Sequence, residues 1–242
     1  MSGNDDIRYR LRNSAEDLGA AGWDTQYGCG MVNADLAINF SEPPDQSAPI
    51  TTMTLNATKG VADWYLSDVE VILSAIDNDS GVAETKYSLD AGETWHTYTS
   101  PFTITTELTR HTVLARSWDN DGNDEGPPVF AKFRIDKVPP TVTETVYPTE
   151  FEREKKGYLV SVSYSGTFED SGSGRYWPPN TVLIDEYGEL DQDLGSSLSG
   201  QVHIEAYCSG GDKDGRTYIF RLTGRDIAGN WSSADAIVKV FK

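Results

Sequence analysis

Large apolar and smaller or polar residues alternate through "YIFRLT", where Tyr218, Phe220 and Leu222 stand between Ile219, Arg221 and Thr223. A period of two puts the three larger side chains on one face of a strand, and that face is expected to be core. The same texture recurs upstream. "VEVILSAID", "VAETKYSL", "HTVLARSW" and "VFAKFRI" are β-branched and aromatic runs of strand length, separated by clusters of Gly, Asn and Asp. Runs of this kind at short spacing predict an antiparallel sandwich of about 90 residues.

Prolines set its limits. "SEPPDQSAP" (41–49) and "DKVPP" (136–140) interrupt any helix or central strand, because proline lacks a backbone donor and restricts the residue before it. Both read as linkers. Beyond the second, the plan repeats in the same order. "APITT" is echoed by "PPTVT", "AIDNDSGV" by "TFEDSGSG", "RSWDNDGN" by "GRDIAGN" and "VFAKFRIDK" by "DAIVKVFK". Two copies of one unit follow, and a linker joint between them predicts few contacts across it.

Composition adds a constraint on partners. The formal charge is −18, and it is spread along the chain: residues 1–47 hold 8 acids against 3 bases, 48–138 hold 14 against 7, and 139–242 hold 16 against 10. An acidic surface of this kind repels nucleic acid and anionic membranes and favours cations and basic surfaces. No apolar run is long enough for a transmembrane helix, and no secretory signal pattern opens the sequence. Membrane insertion is therefore not expected. Cys29 and Cys208 form no metal-type pair; two free thiols and one disulfide are both compatible with their positions.

Two resemblances rest on these motifs. "IDNDSGVAETKYSLDAGETWHTYTSPFTI", with "HTVLARSWDNDGNDE" and "RTYIFRLTGRDIAGNWSS", resembles the immunoglobulin-like repeats carried in tandem by bacterial and archaeal secreted enzymes and cell-surface proteins. The resemblance implies a mainly β chain with two tandem immunoglobulin-like antiparallel β-sandwiches, at 48–137 and 139–242, and an extracellular address. It implies no activity, since the fold hosts many functions. Within it, "SLDAGETW" (88–95) matches the Asp-box of sialidase-like propellers, but one copy does not make a propeller. A β-hairpin is the expected content, with Ser88 and Asp90 accepting backbone donors, Gly92 at positive φ and Trp95 as cover.

The front of the chain differs. "IRYRLRNSAEDLGAAGWDTQYGCGMVNADLA" (7–37) resembles the C-terminal end of a subtilisin-like catalytic domain at Ala15, Leu18, Gly19, Tyr27, Gly28, Gly30, Val32, Asn33 and Ala34. The resemblance implies that residues 1–42 are a short helical remnant of such a domain. A first helix is expected to end at Gly19, with Asn33 capping a second helix that buries Leu36. Leu11, Leu18, Trp23, Val32, Leu36 and Ile38 would have packed against the catalytic domain and are expected to find other cover.

Chemistry is sparse. A subtilisin-like site needs a serine nucleophile, a histidine base, an orienting aspartate and an oxyanion donor, and the family's motifs for these are absent. His96, His111 and His203 fall in or beside strand runs with no nucleophile motif nearby. In "DNDGNDE" (119–125), Asp119, Asp121, Asn123 and Asp124 offer oxygen ligands around a glycine, as Ca²⁺ loops do. A turn in which Asp and Asn bond their own backbone explains them equally. "GGDKDG" (210–215) is a weaker candidate of the same type. Tyr176 and Trp177, ahead of two prolines, form either an exposed aromatic platform for sugar or peptide or a cover over the end of the sandwich. No other cofactor has a motif.

The expected function is a non-catalytic accessory region of a secreted subtilisin-like protease, whose partners are the parent catalytic domain, a substrate protein or a cell-surface polymer. The alternative is an independent surface adhesin or carbohydrate-binding protein. Without nucleophile, base or oxyanion donor, the purified chain should neither hydrolyse casein nor react with a fluorophosphonate. Labelling of any serine that heat denaturation abolishes would contradict this.

Overall fold

The computed structural model describes residues 3–40 and 44–242, and the chain divides into a front unit of residues 1–47 and a larger unit of 48–242. In the larger unit every strand run anticipated above is a strand. The first copy contains β1 (Ile50–Asn56), β2 (Trp64–Tyr65), β3 (Val69–Ile76), β4 (Val82–Ser88), β5 (His96–Thr97), β6 (Phe102–Ile104), β7 (His111–Asp119) and β8 (Val129–Ile135). They form a three-stranded sheet β1-β3-β6 and a five-stranded sheet β2-β8-β7-β4-β5. The second copy contains β9 (Thr141–Tyr147), β10 (Glu150–Glu152), β11 (Leu159–Glu169), β12 (Arg175–Asp185), β13 (Asp191–Gly195), β14 (Ser199–Glu205), β15 (Arg216–Asp226) and β16 (Trp231–Phe241).

Its sheets, β14-β11-β9 and β10-β16-β15-β12-β13, repeat the first order strand for strand. The repetition extends to the short parallel pair at one edge, β2 with β8 and β10 with β16. This three-plus-five arrangement, with the sixth strand returning beside the third, is the immunoglobulin-like sandwich. The protein is thus mainly β, with two tandem sandwiches after a short helical segment.

Alternation decides what each sandwich buries. In β15 the inward positions are Arg216, Tyr218, Phe220, Leu222, Gly224 and Asp226, so the expected core face is found, with a charged residue at each end. Phe220 packs in one buried cluster with Val162, Leu183 and Val238, and Leu222 is fully buried beside it in the same face. Gly224 is required here, because a Cβ would lie 2.6 Å from the Phe168 ring. In β7 the same rule buries Val113, Ala115, Ser117 and Asp119. Ser117 Oγ is satisfied by Thr51 Oγ1 at 2.7 Å and Thr85 Oγ1 at 2.8 Å, so the polar end of that face costs no unpaired group.

The charged start of the β15 face is neutralised locally. Arg216 Nε lies 3.0 Å from Asp185 Oδ1, and its Nη2 lies 2.6 Å from Oδ2. Glu189 and Glu205 add ion pairs, and the guanidinium sits over the rings of Tyr187 and Tyr218. Burial works against the Asp185 charge, but the hydrogen bonds and charge of Arg216 hold its pKa below the usual carboxylate value.

The joint carries specific hydrogen bonds rather than a bare tether. Val61 N donates to Ala228 O at 2.8 Å, Ser173 N to Asp136 Oδ2 at 2.6 Å, and Asn230 Nδ2 to Asp136 O at 3.1 Å. No sheet crosses it.

The front unit holds α1 (Gly3–Asn13) and α2 (Ala34–Asn39). The first helix stops short of Gly19. Ser14 Oγ takes up Arg10 O at 2.7 Å, and Glu16 N is committed to Met31 O at 2.8 Å, so the helical ladder cannot continue. Gly19 still has φ +92°, as a loop residue. Gly30 (φ +97°) is needed where the chain doubles back, since a Cβ would meet Glu16 O at 2.2 Å. Asn33 caps α2 as expected, accepting from Leu36 N at 3.0 Å, but the helix buries Ala37 and leaves Leu36 exposed. Both cysteines are free thiols.

One inward position is a liability. Glu144 on β9 pairs with Gly166 on β11. Both of its carboxylate oxygens are shielded from solvent and lack a hydrogen-bond partner, and burial pushes its pKa up to about 7. The folded state therefore holds this proton more tightly than the unfolded chain, whose value is 4.5. The penalty is absent below pH 4.5, grows as pH rises, and is complete above pH 7. Glu144→Gln should accordingly raise the melting temperature at pH 8 and leave it nearly unchanged at pH 4.5. An equal change at both values would show that the group does not titrate this way.

Candidate functional site

The four residues of the acidic loop are not gathered around one point by their hydrogen bonds. Asp119, the last inward residue of β7, is 2% exposed. Its Oδ1 accepts from Asn123 N and its Oδ2 from Asn123 Nδ2, each at 2.6 Å. Burial opposes its charge, but donors led by Asn123 outweigh it and keep the pKa low. Asp124 turns to Arg116 Nη1 at 3.2 Å and to Gly126 N at 3.0 Å, while Asp121 is exposed. Asp119 and Asn123 thus form a self-bonded turn, with Gly122 at φ +90°.

The Asp-box is the β4–β5 hairpin, as its residues suggested. Buried Ser88 Oγ donates to Asp90 Oδ1 at 2.7 Å and accepts from Gly92 N at 2.8 Å. Asp90 accepts from Thr94 N at 2.9 Å and from Thr94 Oγ1 at 2.5 Å, and these hydrogen bonds, led by the Thr94 hydroxyl, hold its pKa far below the ordinary value. Beside the hairpin, Arg116 lies over both Trp95 and Trp118.

Tyr176 and Trp177 open β12 and stand at the surface as an aromatic pair, 48% and 56% exposed. Two residues that the sequence reading missed extend the pair. Tyr176 pairs with Arg225, and Arg225 with Trp231, across three adjacent strands. The guanidinium lies 4.1 Å from the Tyr176 ring centroid and 5.4 Å from that of Trp231, which is itself 62% exposed. Their signal was present in "GRDIAGNW", but only strand pairing puts it next to Tyr176. Such a strip can stack on a sugar ring or a peptide side chain.

A second grouping was also missed. Asp136, just after β8, Asp170, just after β11, and Asp226, the last residue of β15, bring carboxylate oxygens within 4.8 Å of one another. Asp226 bonds Asn230 N at 2.8 Å and Asn230 Nδ2 at 2.7 Å, the same arrangement as Asp119 with Asn123. Asp170 Oδ2 accepts from Gly172 N and Gly174 N, as Asp77 Oδ1 accepts from Asp79 N and Gly81 N in the first copy. Burial, together with the charges of Asp136 and Asp226, raises the Asp170 pKa. The repeated "DNDSG" and "EDSGSG" motifs held the local turns, but the meeting of three loops was not readable from them.

No protein-family model matches the chain, and no curated protein matches it. Its similarities are to solved structures. Fibronectin(III)-like modules of Clostridium thermocellum CbhA share 10% identity over 78% of this chain and 94% of theirs, with a TM-score of 0.34. A two-domain fibronectin type-III segment of chicken tenascin shares 10% over 80% and 99%, with 0.35. A Ca²⁺-stabilized adhesin of an Antarctic bacterium shares 17% over 81% of this chain and 50% of that one, with 0.41. These are likenesses of fold.

Replacing Asp90 with Ala removes both Thr94 bonds and the acceptor for Ser88. The amides of Gly92 and Thr94 should then exchange with solvent faster, while amides in β3 and β7 keep their protection. Unchanged exchange at Thr94 would show that the hairpin is held by other contacts.

Proposed function

We propose that this chain is a non-catalytic C-terminal accessory region of a secreted subtilisin-like serine protease, in which two sandwiches space, anchor or stabilise the enzyme or engage its substrate. The observation that carries the reading is the front unit. Its sequence resembles the end of a subtilisin-like catalytic domain, and Trp23, Val32, Leu36 and Ile38 all stand exposed, an apolar set suited to packing against a domain that precedes it. A secreted protein meets Ca²⁺ at useful concentrations, and the acidic, oxygen-rich loops of this chain are of the ligand type that Ca²⁺ takes. Among the described residues no helix is long and apolar enough to cross a membrane.

A second reading, an independent surface adhesin or carbohydrate-binding protein, draws on the strip of Tyr176, Arg225 and Trp231. In both readings that strip is the surface offered to a substrate protein or a cell-surface polymer.

Reading the coding sequence upstream of residue 1 separates the two. An open frame carrying Asp, His and Gly-Thr-Ser-Met motifs supports the protease reading, and an in-frame stop directly upstream overturns it. On the protein itself, deletion of residues 1–42 should leave the sandwich melt cooperative and lower the binding of an apolar fluorescent dye. Loss of the cooperative melt would place the segment in a sandwich core instead.

A further inference from the structure

The joint between the sandwiches holds three carboxylates without a counter-charge, two of them buried and the third, Asp170, half-buried. Asp136 and Asp226 are each 0% exposed. Among the described residues every hydrogen-bond donor to the three is a backbone N–H or the Asn230 amide: Val138 N and Ser173 N to Asp136, Gly172 N and Gly174 N to Asp170, and Gly229 N, Asn230 N and Asn230 Nδ2 to Asp226. No lysine or arginine takes part. Three anions in such a place repel one another and lose their hydration, which is unfavourable when nothing compensates it.

A separate observation points to an unmet ligand. Asp170 Oδ1 is closed off from solvent and has no hydrogen-bond partner, although Oδ2 of the same carboxylate accepts two N–H groups. A carboxylate oxygen that is both dry and unpaired is the kind of group native proteins avoid unless an ion or ligand meets it. The other carboxylates are held by their turns with acceptor capacity to spare: Asp136 Oδ1 and Oδ2 and Asp226 Oδ2 each accept one bond, and an oxygen offers two lone pairs.

We propose that Asp136, Asp170 and Asp226 bind one divalent cation, Ca²⁺ in preference to Mg²⁺, which clamps the last strand of the first sandwich to two loops of the second. Their ligand oxygens lie within 4.8 Å of one another, the span that oxygens at about 2.3–2.6 Å from a shared Ca²⁺ can have. Mg²⁺ demands shorter bonds and near-ideal octahedral geometry, which carboxylates already fixed by backbone turns cannot adjust to provide. Asp136 comes from the first copy and Asp170 and Asp226 from the second, so the ion stiffens the joint. The proposal does not depend on the protease reading, because it is tested on this chain alone.

The full chain, stripped with EDTA and dialysed, is titrated with CaCl₂ and with MgCl₂ by calorimetry and melted with and without each. Ca²⁺ should raise the melting temperature more than Mg²⁺, and Asp170→Asn should bind one equivalent fewer than wild type. In EDTA the same variant should melt at or above wild type, because it loses a repelling charge, and in Ca²⁺ below it. Binding of the same number of Ca²⁺ ions by both, or an equal Ca²⁺ effect on both melts, overturns the proposal.

A measurement on wild type needs no variant. Trypsin cutting after Lys137, beside Asp136, reports opening of the joint. At a Ca²⁺ concentration ten times the dissociation constant, that cut should slow about tenfold through depletion of the open form. A rate that Ca²⁺ leaves unchanged overturns the clamp even if Asp170→Asn fails to fold.

Discussion

The inward face of β15 begins at a buried arginine, runs through Tyr218, Phe220 and Leu222, and ends at a buried aspartate. Since a strand's side chains alternate with a period of two, a slip of one residue would send every one of these to the opposite face. The register is held at one end by an ion pair, at the other by the hydrogen bonds of Asp226, and in the middle by apolar packing. Arg216 finds Asp185 at the end of the neighbouring β12, and removing either partner would leave an uncompensated charge in the core. The apolar centre supplies the driving force, and the ionic end fixes which pairing is tolerated.

The opposite end of the same face leads to the chemistry of the joint. Asp226 is inward because Leu222 is inward, and its carboxylate then organises the following turn through Asn230. Asp119 and Asn123 repeat this at the end of β7. A strand that continues its alternation past the apolar core thus delivers a carboxylate to the sandwich end, where loops from other strands arrive. In the second copy those loops include the chain just leaving β8, so the acidic end of one module becomes part of the connection to the other.

The front unit follows a different logic. It is organised by short-range devices: the Asn33 cap, the Glu16–Met31 bridge and the Asp24 carboxylate, which accepts from Gln26 N and Tyr27 N. Tyr9 packs edge-on to Phe40, but much of the unit's apolar surface stays exposed. Local hydrogen bonding can shape such a segment without burying it, and that separates it from the sandwiches, where shape and burial come together.

Period-two alternation and turn chemistry are properties of neighbouring residues, so the strands β3, β4, β7 and β8, the inward set of β15, the Asp-box hairpin and the duplicated plan were legible in the sequence. The cap at Asn33 was legible for the same reason. The end of α1 was not, because it depends on Glu16 pairing with a residue across a loop. Nor could the sequence specify the neighbours of Tyr176, which are set by the β12–β15–β16 register, or the depth of Glu144, which follows from Gly166 and Leu222 closing around it. Asp136, Asp170 and Asp226 lie far apart along the chain, and each reads locally as an ordinary turn residue. Their convergence exists only once two sandwiches have folded and met, because it is a property of three loop ends in space.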